Sequence, residues 1–346
     1  MTDASPAPAW RDLVRPYSAA VTRRSLTQLL ITAAVFLSTT AGLVAGLYFE
    51  LWYAFILAVP AAAFLVRLFL IQHDCGHGSY FRQRWANSLL GSALGVLTLT
   101  PYVFWRDRHA THHATSGNLD RRGFGDVITF TVREYLGLPW WRRLAYRFYR
   151  HPLVIFGLGP TWLFVLRHRF PSGLPWREFR EWRSVLGTNA ALALILVIVG
   201  HTIGLGPFLL GYGPVFLAAA TIGVWLFYVQ HQFEDTYWAH QRDWQFRIAA
   251  VQGSSMYDLP RVLHWLTCHI GLHHLHHLSS RIPNYRLREC LEQHPELQRA
   301  RRLSLRESLG CARLALWCEE RRKLVSFKAA SASVARATTP AANPKD

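Results

Sequence analysis

At 346 residues the chain has the length of about two soluble domains. Its composition excludes that frame, because 51% of the residues are hydrophobic and only 17% charged, where a globular chain carries about 25% charge. The mean hydropathy of only +0.09 equally excludes a bundle that is membrane throughout. Lys and Arg number 38 against 21 Asp and Glu, a balance of +17 that admits nucleic acid as a partner until the arginines are located. The five cysteines, Cys75, Cys268, Cys290, Cys311 and Cys318, form an odd set without CxxC spacing, as expected of reduced thiols facing a cytosol.

In chain order, residues 1–24 carry Arg11, Arg15, Arg23 and Arg24 and read as a cytosolic N-terminal segment. Residues 25–49 hold no charge, and the run is too long for a signal-peptide core, so it is expected to be a retained span. A second span is expected at 51–71, interrupted only by Arg67, which lies near enough to the end to snorkel to the interface. The short turn between them makes a hairpin. Two weaker apolar runs, 89–105 and 153–166, are short or broken by Gly and Pro and suit interfacial or re-entrant pieces. Spans at 188–205 and 208–229 meet at Gly206 and Pro207 as a second hairpin. Residues 25–328 thus read as one membrane domain, and the Ala/Ser/Thr/Pro-rich stretch 329–346 as a disordered tail. Residues 106–183 hold 14 arginines and six acids, whereas neither hairpin turn holds Lys or Arg. The positive-inside rule therefore predicts a multi-pass protein of the cell (inner) membrane with both termini and the middle region cytoplasmic. The arginines flank membrane segments, so nucleic acid is not needed to explain the charge.

The main functional signal is a set of 17 histidines, nine of them in three clusters: His73 and His77 in HDCGH, His109, His112 and His113 in HATHH, and His273, His274, His276 and His277 in HHLHH. On a helix, HxxxH puts two imidazoles on one face and HxxHH three. At this histidine content an HxxHH pattern arises by chance only about 0.04 times per chain, so two copies point to a metal. All three clusters lie on the predicted cytoplasmic side, and His231, at the end of the fourth span, meets the same plane. One zinc is saturated by four ligands, so eight or nine imidazoles imply two ions. The carboxylate-rich ExxH sets of soluble di-iron bundles and the HExxH of zinc hydrolases are both missing. Two non-haem irons in a histidine sphere fit best, with no catalytic side chain expected beyond that centre. Asp74, Asp126, Glu234, Asp235 and Asp258 are candidates to hold the outer nitrogens of ligating histidines, against the alternative of carboxylates paired with arginine. His274 lies about 100° around a helix from His273, off the ligand face, and is a further candidate to support a ligating histidine or to pack beside it. Trp140, Trp141, Trp176 and Trp182 read as interface anchors, and Cys75 as a small packed residue.

These segments, HDCGHGS at 73–79, HATHHATSGNLDRRGFGD at 109–126, QHQFEDTYW at 230–238, GSSMYDLP at 253–260 and HHLHHLSSRIPNY at 273–285, resemble the membrane fatty-acid desaturases, most closely the bacterial omega-6/delta-12 acyl-lipid type. The resemblance implies an all-α integral membrane protein, four transmembrane helices in two hairpins under a cytosolic helical cap. It carries ligand roles for a di-iron centre onto His73, His77, His109, His112, His113, His273, His276 and His277, and onto His231 as the extra histidine outside the three boxes. His269 stands where Asn is expected in CHIGLHH, which leaves its role open. The implied reaction is O2-dependent introduction of a cis double bond into a long acyl chain. Alkane and carotenoid hydroxylases and ketolases share the scaffold, and the linking motifs SGNLDRRG and HQFEDTYW are what favour an acyl-lipid substrate. A histidine-rich metal transporter would need acidic, basic or imidazole groups along its spans, where only Arg67 and His201 occur, both toward span ends. The chain has no haem, flavin, iron–sulfur or nicotinamide motif, so a separate electron donor, a ferredoxin or cytochrome b5-like protein, is expected. Arginines 142, 143, 147 and 150, and 299, 301 and 302, are its candidate landing surface, with contact to lipid headgroups as their competing role.

Overall fold

The structure, a computed structural model, describes residues 10–123, 125–170 and 174–331. Among the described residues, four helices are long and apolar enough to cross a membrane. The first, α1 (Thr22–Tyr48), ends in a tight turn where Glu50 takes a φ of 60°. The chain re-enters through a 3-10 segment, Trp52–Leu57, into α2 (Ala58–His77). Expected from the apolar run to stop near residue 71, α2 continues to His77 and ends only where Gly78 turns left-handed at φ 66°. His73 and His77 therefore sit within its last two turns. Hydropathy fails there because HDCGH is polar yet mostly enclosed by the rest of the chain.

Arg67 corrects a second expectation. It does not snorkel: it is buried, donates to Thr32 Oγ1 at 3.1 Å and to the Trp265 carbonyl, and stacks on the Trp265 ring at 4.1 Å. A guanidinium with these partners satisfies itself inside the protein and ties α2 to both α1 and the later chain.

The run 89–105 is a corner and not a single piece. Helix α3 (Arg84–Leu97) and helix α4 (Tyr102–Thr115) meet at a bend of 104°. Gly91 makes the corner possible, since a Cβ there would stand 2.2 Å from the Tyr102 ring. Tyr102 in turn donates its hydroxyl to the Cys75 carbonyl at 2.7 Å, which docks α4 on the end of α2.

Beyond it come the amphipathic α5 (Trp140–Tyr149) and a wide-turned helical stretch over 153–166. The second pair of spans is α6 (Phe179–Thr202) and α7 (Leu205–His231). Helix α6 starts before residue 188 because the charged turn FREWR extends it out of the apolar layer, and α7 runs to His231. The remaining helices that matter are α8 (Arg261–Leu266), α9 (His273–Leu278) and α10 (Asn284–Gln293). Two small sheets stitch the cap: β1 (Phe130–Thr131), β2 (Met256–Asp258), β3 (Arg302–Ser304), β4 (Leu316–Cys318) and β5 (Lys323–Val325) pair as β1-β4-β5 and β2-β3. The fold is thus an all-α membrane architecture with four spans, its helical cap closed by short strands.

The core follows α2. Ala61, Leu65, Leu68, Ile71 and Cys75 are buried against Val215, Ala219 and Leu226 of α7. In the most apolar window of α2, 56% of the residues are enclosed by protein, against 11% in α6, so α2 is the central post and α6 is left facing lipid. Ala330 is buried against Tyr135 and Tyr146, so the chain is still packed at the start of the stretch expected to be disordered. Residues 332–346 of that tail lie outside the described residues.

Candidate metal centre

Four helices bring imidazoles to one place. His73 and His77 come from α2, His109, His112 and His113 from α4, His231 from the last residue of α7, and His273, His276 and His277 from α9. Their ligand atoms fall into two groups: His73, His77, His109, His113 and His276 in one, His112, His231, His273 and His277 in the other, with all atoms of a group within 4.8 Å of one another. The groups share a wall, because His113 of the first stacks on His277 of the second at 4.1 Å between ring centres.

The nitrogen separations fit coordination. Nε2 atoms of neighbouring rings lie 3.4 Å apart for His73 and His77, 3.1 Å for His77 and His109, 3.2 Å for His112 and His231, and 2.9 Å for His231 and His273. Ligands on one ion at bonds of about 2.1 Å stand about 3.0 Å apart at right angles and about 3.4 Å apart in a tetrahedron. The proton count sharpens this. His231 Nδ1 is 3.0 Å from the Gly253 carbonyl, which can only accept, so that nitrogen carries the ring's proton. His112 Nδ1 meets the Asp126 carboxylate in the same way. A neutral imidazole has one N–H, so both rings present bare Nε2 lone pairs to each other, a repulsive arrangement unless the pairs point at a shared cation. His277 Nε2 is buried and has no hydrogen-bond partner among the described residues. Burial, then the neighbouring imidazoles, pushes the pKa values of His273, His276 and His277 well down, which keeps them in the neutral form that binds metal. The residues present fit a metal.

The candidate supporting carboxylates part company. Asp126 is on His112, and Asp74 Oδ1 lies 3.3 Å from His73 Nδ1. Glu234 and Asp235 instead reach outward to Lys323 at 3.2 and 3.0 Å, and Asp258 is exposed, so none of these three touches the cluster. For Glu234 and Asp235 this follows from geometry: α7 ends at His231, and the chain that follows leaves the helix and turns toward the surface. His274 donates Nε2–H to the Leu297 carbonyl at 2.9 Å, away from both groups. His269 also lies outside them, at a φ of 55° and against His264 at 5.8 Å between rings. Trp140, Trp141 and Trp176 are exposed and far from playing any part in the cluster.

Sequence reasoning missed Asn284 and Trp105. Asn284 donates its backbone N–H at 2.7 Å and its Nδ2 at 2.8 Å to Asp74 Oδ2, fixing the carboxylate that faces His73. Trp105 stacks flat on His109 at 4.7 Å. Asn284 was within the IPNY segment, but no spacing rule marks a residue that acts through a carboxylate 210 positions away.

Comparison with known proteins now decides the class. The family model described as fatty acid desaturase matches residues 50–308. The chain belongs to the fatty acid desaturase family. It is 44% identical over 310 residues to a fatty acid desaturase of Bacillus subtilis, covering 89% of this chain and 87% of that one. It is 31% identical to the sn-1 acyl-lipid omega-3 desaturase (ferredoxin) of Synechocystis, covering 72% and 71% of the two chains. An sn-1 oleoyl-lipid 12-desaturase of Picosynechococcus is 27% identical over 65% of this chain and 64% of its own. The protein is therefore a membrane oxidoreductase of lipid metabolism, a desaturase whose histidine groups can hold metal.

The landing surface expected for a donor is smaller in the desaturase than the sequence suggests. Arg150 is buried, donating to Tyr228 Oη at 3.0 Å, Gln232 Oε1 at 2.9 Å and the Leu314 carbonyl at 2.6 Å. It knits the cap to α7 and is closed to a partner.

Proposed function

We propose that the nine imidazoles hold two iron ions, and that the enzyme introduces a cis double bond into a long acyl chain carried on a membrane lipid. The reaction balances as –CH2–CH2– plus O2, two electrons and two protons giving –CH=CH– and two waters. Reduced iron supplies the oxygen chemistry needed to take hydrogen from unactivated methylenes. The protein's own share is orientation and exclusion. Asp126 and the Gly253 carbonyl hold the Nδ1 protons of His112 and His231, so that Nε2 faces inward. Asp74, itself carried by Asn284, does the same for His73. Burial of His112, His231, His273 and His277 keeps water from one of the two groups.

The observation that carries this reading is the pair of converging imidazole groups, their Nε2 atoms turned toward one another, in a chain of this family. Electrons come from a separate ferredoxin: the relatives from Synechocystis and Nostoc are named as ferredoxin-dependent acyl-lipid desaturases. We place the protein in the cell membrane with the metal centre and both termini on the cytoplasmic side, by the arginine excess of 106–183 over the two hairpin turns. The test is expression in a host lacking polyunsaturated fatty acids, with iron analysis of the purified chain and methyl-ester profiling of the lipids. Two irons per chain and a new cis double bond are expected. An iron-loaded protein that leaves the profile unchanged, or that yields hydroxylated chains, overturns the reading.

A further inference from the structure

A cavity of about 670 Å³ opens between the first turns of α1, the α8 end around Trp265–His269, and the start of α10. Of the residues that support the imidazole groups, Asn284 alone lines it. Its volume is in the range of roughly 300–1,000 Å³ that encloses small organic ligands. Arg23 and Arg24 line it, both exposed. Arg24 shares its charge with Glu289 at 3.3 Å, whereas Arg23 makes no ion pair among the described residues. Ile31 and Trp265 supply apolar wall, and Gln28 and Asn284 a polar one.

We propose that this cavity binds the headgroup and glycerol region of an anionic phospholipid. The charge selects phosphate, since guanidinium groups pair with phosphate oxygens by strong, charge-assisted hydrogen bonds. The apolar wall selects an amphiphile over a free anion, which would leave Ile31 and Trp265 wet. Position selects a membrane lipid: Arg23 and Arg24 lie in the first turn of a membrane-spanning helix, and lipid headgroups occupy that depth. Asn284 gives the site a link to the chemistry. It lines the cavity and also carries Asp74, whose other oxygen faces His73, so the lipid head and a metal-facing imidazole share one buried hydrogen-bond path. The proposal rests on the acyl-lipid reading above and names where that substrate class is recognised.

The experiment uses the full-length protein in detergent and measures retention of phosphatidylglycerol against phosphatidylcholine by native mass spectrometry. Wild type should prefer phosphatidylglycerol, and the double variant Arg23→Ala/Arg24→Ala should lose about 10- to 30-fold of that preference, the effect of two basic groups at a lipid surface. The variant Arg23→Lys/Arg24→Lys should recover most of it, which separates recognition from misfolding. Removing equal charge elsewhere, with Arg142→Ala/Arg143→Ala, should leave the preference intact. Equal loss in that control, or no loss in the first variant, overturns the site in favour of general surface charge. Displacement of the lipid by millimolar inorganic phosphate also overturns it, in favour of a free-anion site. Fatty-acid profiling of the same cells keeps the two readings apart: lipid preference without desaturation sinks the proposed function, and desaturation without lipid preference sinks only this site.

Discussion

The two imidazole groups share helices α4 and α9, with α2 completing one and α7 the other, and they are held differently. His112, His231, His273 and His277 are all buried, and two of them have their outer nitrogens fixed by Asp126 and the Gly253 carbonyl. In the other group only His73 and His276 are buried, His77, His109 and His113 are partly open, and the one carboxylate contact is the longer 3.3 Å approach of Asp74. A closed, oriented group is suited to keep its ion. For the proposed reaction, the more open group offers the edge at which a methylene and O2 would approach. The difference teaches that a symmetric-looking set of histidine boxes yields two unequal sites.

The largest effect is expected from removing one ligand of each. His112→Ala and His276→Ala should each reduce desaturation by more than the roughly 10- to 100-fold typical of losing an outer partner, while the chain still inserts in the membrane. Product formation by either variant in methyl-ester profiles breaks the assignment of that group. Next comes the comparison of supports. Asp126→Asn should weaken metal retention by about 10- to 100-fold, and Asp74→Asn by less than about tenfold, because the Asp74 contact is longer and its group is less closed. Iron content after graded chelation reads both, and a larger loss in Asp74→Asn reverses the ranking.

Much of this site was legible from spacing. HxxxH and HxxHH fix which imidazoles share a helical face, and charge bias along the chain marks the helices that carry them. What spacing cannot give is what lies opposite. Arg67 and Arg150 read as surface charge because arginine usually is, but each found enough carbonyl and hydroxyl acceptors to be buried. Glu234 and Asp235 follow His231 closely in sequence and still face Lys323, because the helix stops at His231. The corner between α3 and α4 hid in a single apolar run, since hydropathy has no direction and the bend depends on Gly91 meeting Tyr102.

A smaller effect tests the face of α9. His274 is buried with its pKa pushed down to about 4, chiefly by desolvation, from an ordinary 6.5. Its folded pKa is depressed, so the unfolded chain binds more protons in that interval; stability from the neutral ring is full above the ordinary value and is lost as pH falls toward 4. Melting of the purified protein should therefore drop between pH 7.5 and pH 5 partly through this residue, and His274→Gln should flatten part of that slope while keeping iron at neutral pH. Iron loss equal to that of His276→Ala would show that His274 belongs on the metal face.

The smallest effect concerns carboxylates that lie near a ligand in sequence only. Glu234 and Asp235 stand within four residues of His231, and their charge is shared with Lys323 at the surface, where water and salt screen it. Asp126 is 105 positions from His231 in the chain and yet supports the ring that faces it. The double variant Glu234→Gln/Asp235→Asn should accordingly leave iron content and product yield unchanged. It removes an exposed pair and leaves no buried group without a partner. If it instead lost iron as Asp126→Asn does, His231 would be sensing charge through the turn that follows it, and the closed group would owe its strength to long-range field and not to direct hydrogen bonds. Repeating the iron measurement in high salt separates these causes, since screening would mimic the double variant only in the field case.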